Sequence, residues 1–366
     1  MHKANQNEVV SIQYMRGIAA LSVAYFHTGV NSANLAWPSF IPREFGKAGV
    51  DVFFVISGFI MVLVTSSRET SPKQFLLRRI FRIVPLYWLF TLLVALTGLI
   101  YPAAMLNNAV DWTHIGLSMA FIPHVNPITG GVEPFFKLGW TLNNEMYFYV
   151  VFASLLLVRP ISIRMALLSI WGIGGALFFL VFRPIQPMLQ IYTNPIILEF
   201  VMGAFIGHFY VSGRLYTPRR SILLTLATVC AVFIVFIRVP DVFLFQTICR
   251  PLIYGVPAAL LVWSLLTLDI SGGLRTIGWL SLVGDASYSI YLSHTTTLTA
   301  FRIGAGALGL PVGNSWVGAT LIATELACCI GAGIIIYLYV ELPITNKLRA
   351  FSRASSAPSK RKSRWS

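Results

Sequence analysis

Arg16 and His27 stand inside a run, Val9 to Val30, that is otherwise apolar. The eleven-residue step between them is about three helical turns, so both fall on one helix face, roughly 16 Å apart along the axis. An imidazole can act as general base or nucleophile near neutral pH. A guanidinium binds phosphate or carboxylate through paired donors. Ionisable groups in hydrocarbon cost a few kcal/mol or more, so those that persist face a protein interior or an aqueous cavity and mark function. The same apolar background holds Asp51, Glu145, Glu199, Glu325 and His294, and a basic group follows the second apolar run: Lys73, Arg78, Arg79 and Arg82.

These residues need elements to position them. The chain has 366 residues, 56% hydrophobic and only 11% charged. A soluble domain carries about 25% charged residues. The expected fold is therefore all-α, a polytopic integral membrane bundle of about ten transmembrane helices over residues 1–345. Ten segments are long and apolar enough to cross: 9–30, 46–65, 80–102, 138–158, 165–182, 195–212, 221–237, 251–268, 277–301 and 316–340. Segment 115–123 is too short and is expected to be re-entrant or interfacial. The polar start and the long, Arg-containing first run argue against a signal peptide. Cys230, Cys249, Cys328 and Cys329 read as packing residues, without metal-ligand spacing.

Orientation follows from charge. With both termini cytoplasmic, nineteen Lys and Arg fall in inner segments and seven in outer ones, as the positive-inside rule requires. Residues 346–366 read as a basic, disordered cytoplasmic tail attracted to anionic membrane lipids. The net charge of +14 has no nucleic-acid recognition motif with it. In this topology His27, Asp51, Glu145, Glu199, Glu325 and His294 lie in the outer half, while Arg16, Lys73, Arg78, Arg79 and Arg82 collect at the inner side. Such a bundle can move a group from an anionic cytoplasmic donor to an acceptor outside. Structural readings stand beside these: Arg78, Arg79 and Arg82 as a membrane anchor, Asp51 or Glu199 as ion-pair partners of an arginine, His294 as a packing residue.

Six segments in order resemble the acyltransferase-3 family of integral membrane acyltransferases. They are YMRGIAALSVAYFH at 14–27, GVDVFFVISGFIM at 49–61, FLLRRIFRIVPLYW at 75–88, GWTLNNEMYFY at 139–149, GDASYSIYLSH at 284–294 and VELP at 340–343. The fourth is most similar to the exopolysaccharide-production branch. The resemblance implies O-acylation, usually O-acetylation, of a surface glycan in the bacterial inner membrane, with acetyl-CoA as donor and no metal. It implies catalytic roles for His27 and Arg16, with Asp51 or Glu145 orienting the imidazole or binding acceptor. It implies donor binding by Arg78, Arg79, Arg82 and Lys73, and substrate contacts at Trp140, Tyr291, His294 and Glu325. Expected partners are a polysaccharide or lipid-linked glycan and other polysaccharide-assembly proteins. The 103–137 segment, with Asp111, Trp112, His114 and His124, is expected near the acceptor entrance. Two rival classes fit buried charges as well: a transporter or flippase of a polysaccharide precursor, against which no internal repeat is visible, and a membrane scaffold.

Overall fold

The computed structural model describes residues 9–28, 42–66, 71–102, 109–237, 240, 242, 244–307 and 315–356. The helices are α1 (Val10–Thr28), α2 (Ala48–Ser66), α3 (Pro72–Ile100), α4 (Trp112–Met119), α5 (Gly139–Leu155), α6 (Ile161–Phe182) and α7 (Pro187–Tyr192). They continue with α8 (Ile197–Val211), α9 (Arg220–Phe236), α10 (Val256–Ile270), α11 (Gly278–Asp285), α12 (Ser287–Ala307), α13 (Ser315–Ile336) and α14 (Leu342–Ser356). Among the described residues there is no strand, only an isolated bridge between Val125 and Val132. An all-helical chain suits hydrocarbon, because a helix satisfies its backbone groups internally.

Each of the ten segments expected to cross contains a helix. Among the described residues six stretches are long and apolar enough to span: Arg43–Ser66, Pro72–Ile100, Ile161–Phe182, Pro187–Val211, Pro251–Ile270 and Ala319–Ala350. The shortfall is informative. α1, α5 and α12 are absent from the six, and they carry Arg16 and His27, Glu145, and Tyr291 and His294. Their polar content is tolerated because it faces protein. α1 packs against α2, α10, α11, α12 and α13 and buries Gly17, Ala19, Ala20 and Ala24, small residues that let neighbours approach. α3, in contrast, turns Trp88, Leu89, Leu92, Leu93 and Leu96 outward, as a lipid-facing helix does.

The expected disordered tail from residue 346 is helical as far as Ser356, within α14, which packs on α3. The remainder of that tail, 357–366, lies outside the described residues, as do residues 29–30 of the first run. Ile344 and Leu348, one turn apart and half-buried, give α14 an apolar face to bury. The four cysteines are free thiols.

The tightest crossing is that of α2 with α8. A Cβ on Gly58 would strike the Phe200 carbonyl oxygen, and one on Gly203 the Val55 carbonyl oxygen. Neither backbone oxygen can swing aside. Gly203→Ala is therefore expected to destabilise the detergent-solubilised protein by about 1–3 kcal/mol or more, read as a lower melting temperature. Gly174→Ala on α6, whose Cβ would meet nothing within 4 Å, should leave melting unchanged.

Candidate active site

Helices α1, α2, α3, α5 and α12 line a partly open cavity of about 80 Å³. Its polar lining is Arg16, Ser57, Arg79, Arg82, Glu145 and Tyr291, set among aromatic and aliphatic side chains. Arg79 and Arg82 reach it together because residues three apart share a helix face. Arg78 and Lys73 lie on other faces of α3, exposed and outside the lining, so the structure does not bring them to the site with the other two. The buried Arg79 guanidinium lies over the rings of Phe75, 5.7 Å away, and Tyr149, 5.9 Å away, and its Nε has no partner. Arg16 donates to Gln13 Oε1 at 3.3 Å and feels the charges of Arg82, Glu341, Asp285 and Glu145. Glu341 accepts from Ser289 Oγ at 2.6 Å.

The carboxylates expected to serve His27 are engaged elsewhere. Glu145, on the cavity wall, accepts from Ser57 Oγ at 2.5 Å and from Tyr149 Oη at 2.9 Å. Asp51, fully buried, takes two 2.8 Å hydrogen bonds from Arg250. Arg250 also donates to Lys47 O at 3.2 Å. Glu199 is buried near the same pair, and its oxygens find no donor among the described residues. Glu325, expected at the substrate, binds Arg302 at 3.1 Å. Arg302 in turn donates to the carbonyls of His27, at 3.0 Å, and Thr28, at 2.6 Å. These are the last carbonyls of α1, which have no partner within the helix. Trp140 packs edge-on against Phe54 outside the cavity lining, a core position rather than a ligand contact.

Two histidines meet beyond the cavity. The His27 and His294 ring centroids are 5.0 Å apart. Tyr291 connects them to the cavity: it lines the cavity wall, its hydroxyl pairs with Thr141 Oγ1 at 2.8 Å, and its ring lies 5.9 Å from His294. The arrangement is a file from Arg79, Arg82 and Arg16 at one end, past Glu145 and Tyr291, to the histidine pair.

In the 103–137 segment, His114 and His124 are turned on each other. Their Nδ1 and Nε2 are 2.5 Å apart, and His124 Nδ1 donates to Ile122 O at 2.7 Å. This pair holds the loop rather than a sugar, while Trp112 stays two-thirds exposed at 67%. Burial, then the neighbouring His124, depress the pKa of His114. Below pH ~6.5 the unfolded chain takes up a proton that folded His114 resists. Stability should thus fall as pH drops from there toward the lowered pKa. Melting temperature measured across this range should lose its slope in His114→Gln.

Arg250→Ala would leave Asp51 and Glu199 buried without their cation. Removing one member of a buried pair costs about 3–5 kcal/mol, so the variant should melt well below wild type. Asp51→Asn should also lose stability first. A loss of turnover at unchanged stability would instead favour the orienting role expected of Asp51.

Sequence reasoning did not single out Arg250 or Arg302 as partners, nor give Glu341 and Ser289 a role. Each arginine lay at the edge of an apolar run and counted only toward orientation. The available signal was the excess of buried carboxylates, which demands cations. Among the described residues no three His, Cys, Asp or Glu side chains gather to hold a metal.

The "Acyltransferase domain" family model matches residues 9–338. The chain is 36% identical over 308 residues to "Exopolysaccharide production protein ExoZ" of Rhizobium meliloti, covering 83% of this chain and 91% of that protein. It is 27% identical to "Acyltransferase MdmB" of Streptomyces mycarofaciens, over 86% of this chain and 84% of that one. It is 21% identical to "Peptidoglycan O-acetyltransferase OatA" of Listeria monocytogenes, over 92% of this chain but 56% of the other. No solved structure matches the chain. Helices built for a membrane, buried histidines at the end of an arginine-lined cavity and a domain match over nearly the whole length converge: the chain belongs to the acyltransferase-3 family and is a multi-pass membrane acyltransferase of the non-aminoacyl kind.

Proposed function

We propose that this protein is an O-acetyltransferase of the bacterial inner membrane, moving an acetyl group from cytoplasmic acetyl-CoA to a hydroxyl of an exopolysaccharide or related surface glycan. The observation that carries this reading is the file from the Arg79–Arg82 cavity to the His27–His294 pair. The names of the exopolysaccharide-production and peptidoglycan O-acetyltransferase relatives support the acceptor class.

In this reading all ten long helical segments span, and both termini are cytoplasmic. Arg79 and Arg82 then bind the donor's phosphates near the inner face, by charge-assisted hydrogen bonds. The pantetheine arm runs along the cavity past Arg16, whose charge is balanced by Glu341, Asp285 and Glu145. The apolar lining from Phe53, Phe54, Ile60 and Met61 suits a thioester and excludes water that would hydrolyse it. His27 removes the proton of an acceptor hydroxyl entering from outside. The oxygen attacks the thioester carbonyl, the C–S bond breaks, and the thiolate recovers the proton from His27. Attack by the imidazole itself, giving a transient acetyl-histidine, meets the same geometry.

His27→Ala should abolish glycan acetylation while the protein still inserts and keeps its elution profile in detergent. Arg79→Gln and Arg82→Gln should each raise KM for acetyl-CoA by about tenfold, the worth of one lost charge-assisted bond. Arg78→Gln, outside the cavity, should leave it nearly unchanged. Acetate and succinate released from surface polysaccharide, with and without the protein, identify the acyl group. Wild-type acetate in cells lacking the protein would overturn the proposal.

A further inference from the structure

His294 is wholly buried, and its hydrogen bonding assigns its tautomer. Nδ1 lies 2.6 Å from the carbonyl oxygen of Tyr291, one turn back on α12. A carbonyl only accepts, so Nδ1 carries the hydrogen, and in the neutral ring Nε2 presents a lone pair. That Nε2 is buried and has no partner. Buried polar atoms are as a rule hydrogen-bonded, so this empty acceptor calls for a donor close by. The ring contacts of His27 are Phe26 on its own helix and His294.

The spacing suits a hydrogen bond between the two rings. His114 and His124, whose nitrogens are at bonding distance, have ring centroids 4.7 Å apart. His27 and His294 are at 5.0 Å, with planes tilted by 38°. The bonded pair meets edge-on at 75°, so a hydrogen bond here requires the half-buried His27 ring to turn a nitrogen onto His294 Nε2. Both backbones are fixed against drift. Arg302 holds the carbonyls of His27 and Thr28, and Glu325 holds Arg302. The Cys329 thiol approaches the His294 carbonyl at 3.9 Å.

We infer that His294 is the positioning partner of His27, its Nε2 accepting the N–H on the far side of the His27 ring. It thereby fills the place usually taken by a carboxylate beside a catalytic histidine. This rests on the reading of His27 as the base. The bond fixes the ring so that the opposite nitrogen faces the acceptor hydroxyl with its lone pair. When His27 takes the hydroxyl proton, its N–H toward His294 becomes a charge-assisted donor and the positive charge spreads over two rings. The proton taken at the acceptor side returns to the departing thiolate. His294 is unchanged over the cycle, so atoms and charge balance without another reactant.

The test uses full-length protein in lipid nanodiscs, radiolabelled acetyl-CoA, and surface polysaccharide of the source cells stripped of acetate by mild alkali. His294→Ala should lower kcat by roughly 100-fold, within the range for acid–base assistance, with both KM values within about twofold. His294→Gln, whose amide oxygen comes near the position of Nε2, should recover about tenfold of this. The double variant His27→Ala, His294→Ala should be no slower than His27→Ala alone. Wild-type kcat in His294→Ala, or a loss confined to KM for the polysaccharide, would overturn the inference while leaving His27 as base. Equal loss of kcat in the Ala and Gln variants, together with a lowered melting temperature, would overturn it in favour of a structural histidine. If His27→Ala turns over at the wild-type rate, the underlying reading fails and takes the partnership with it.

Discussion

Charge placed in hydrocarbon must find its opposite inside the protein, and two arginines meet that demand at the His27 end of α1. Arg302 joins the last carbonyls of α1 to Glu325 on α13. Arg250 joins Asp51 on α2 to the segment leading into α10. Each takes carbonyls or a carboxylate that would otherwise stand unpaired among apolar side chains, where an isolated charge costs far more than a surface one. Arg302 fixes the end of α1, and with it the backbone of His27, while Arg250 ties down the start of α2. Without Arg302, the last turn of α1 would expose carbonyls to lipid or fray.

The same demand explains which helices hydropathy identifies. α3, α6 and α13 each hold a long apolar stretch and read easily as spans. α1 and α12 carry polar groups that line the cavity and form the histidine pair, and α5, which carries Glu145, is only 17 residues long. They are affordable in a membrane only as interior helices, shielded by the apolar ones. A helix that fails a hydropathy test in such a protein is thus a pointer to its chemistry. The small residues along α1 and the glycine crossing of α2 with α8 serve the same end. Close backbone approach lets polar side chains from several helices converge on one volume.

Much of this was legible in sequence. The Arg16–His27 step on one face and the Arg79–Arg82 spacing follow from helix periodicity. Pairing was not legible, because it links residues far apart in the chain: 199 positions separate Asp51 from Arg250. For Asp51 the ion-pair alternative matches the fold, which pairs it with Arg250, and Glu325, read as a substrate contact, pairs with Arg302. Arg78 shared its motif with Arg79 yet points elsewhere, since adjacent residues lie about 100° apart on a helix. Residues 346–356 looked disordered by charge, but the apolar residues among them outline a helical face.

The engagement of Asp51, Glu145 and Glu325 also bears on why a histidine stands next to His27. A carboxylate there would bring a permanent charge into an apolar layer and need a third arginine to balance it. A neutral imidazole needs none. The pair His27 and His294 is then uncharged at rest and carries a single charge only while a proton is in transit. The weaker acceptor gives less stabilisation to the imidazolium than a carboxylate would. It also avoids a standing desolvation penalty, and it leaves no fixed anion close to where the acceptor oxygen becomes negative. On the proposed reading of His27 as a base, with Asp51 and Glu325 already paired to arginines, that exchange favours the second histidine.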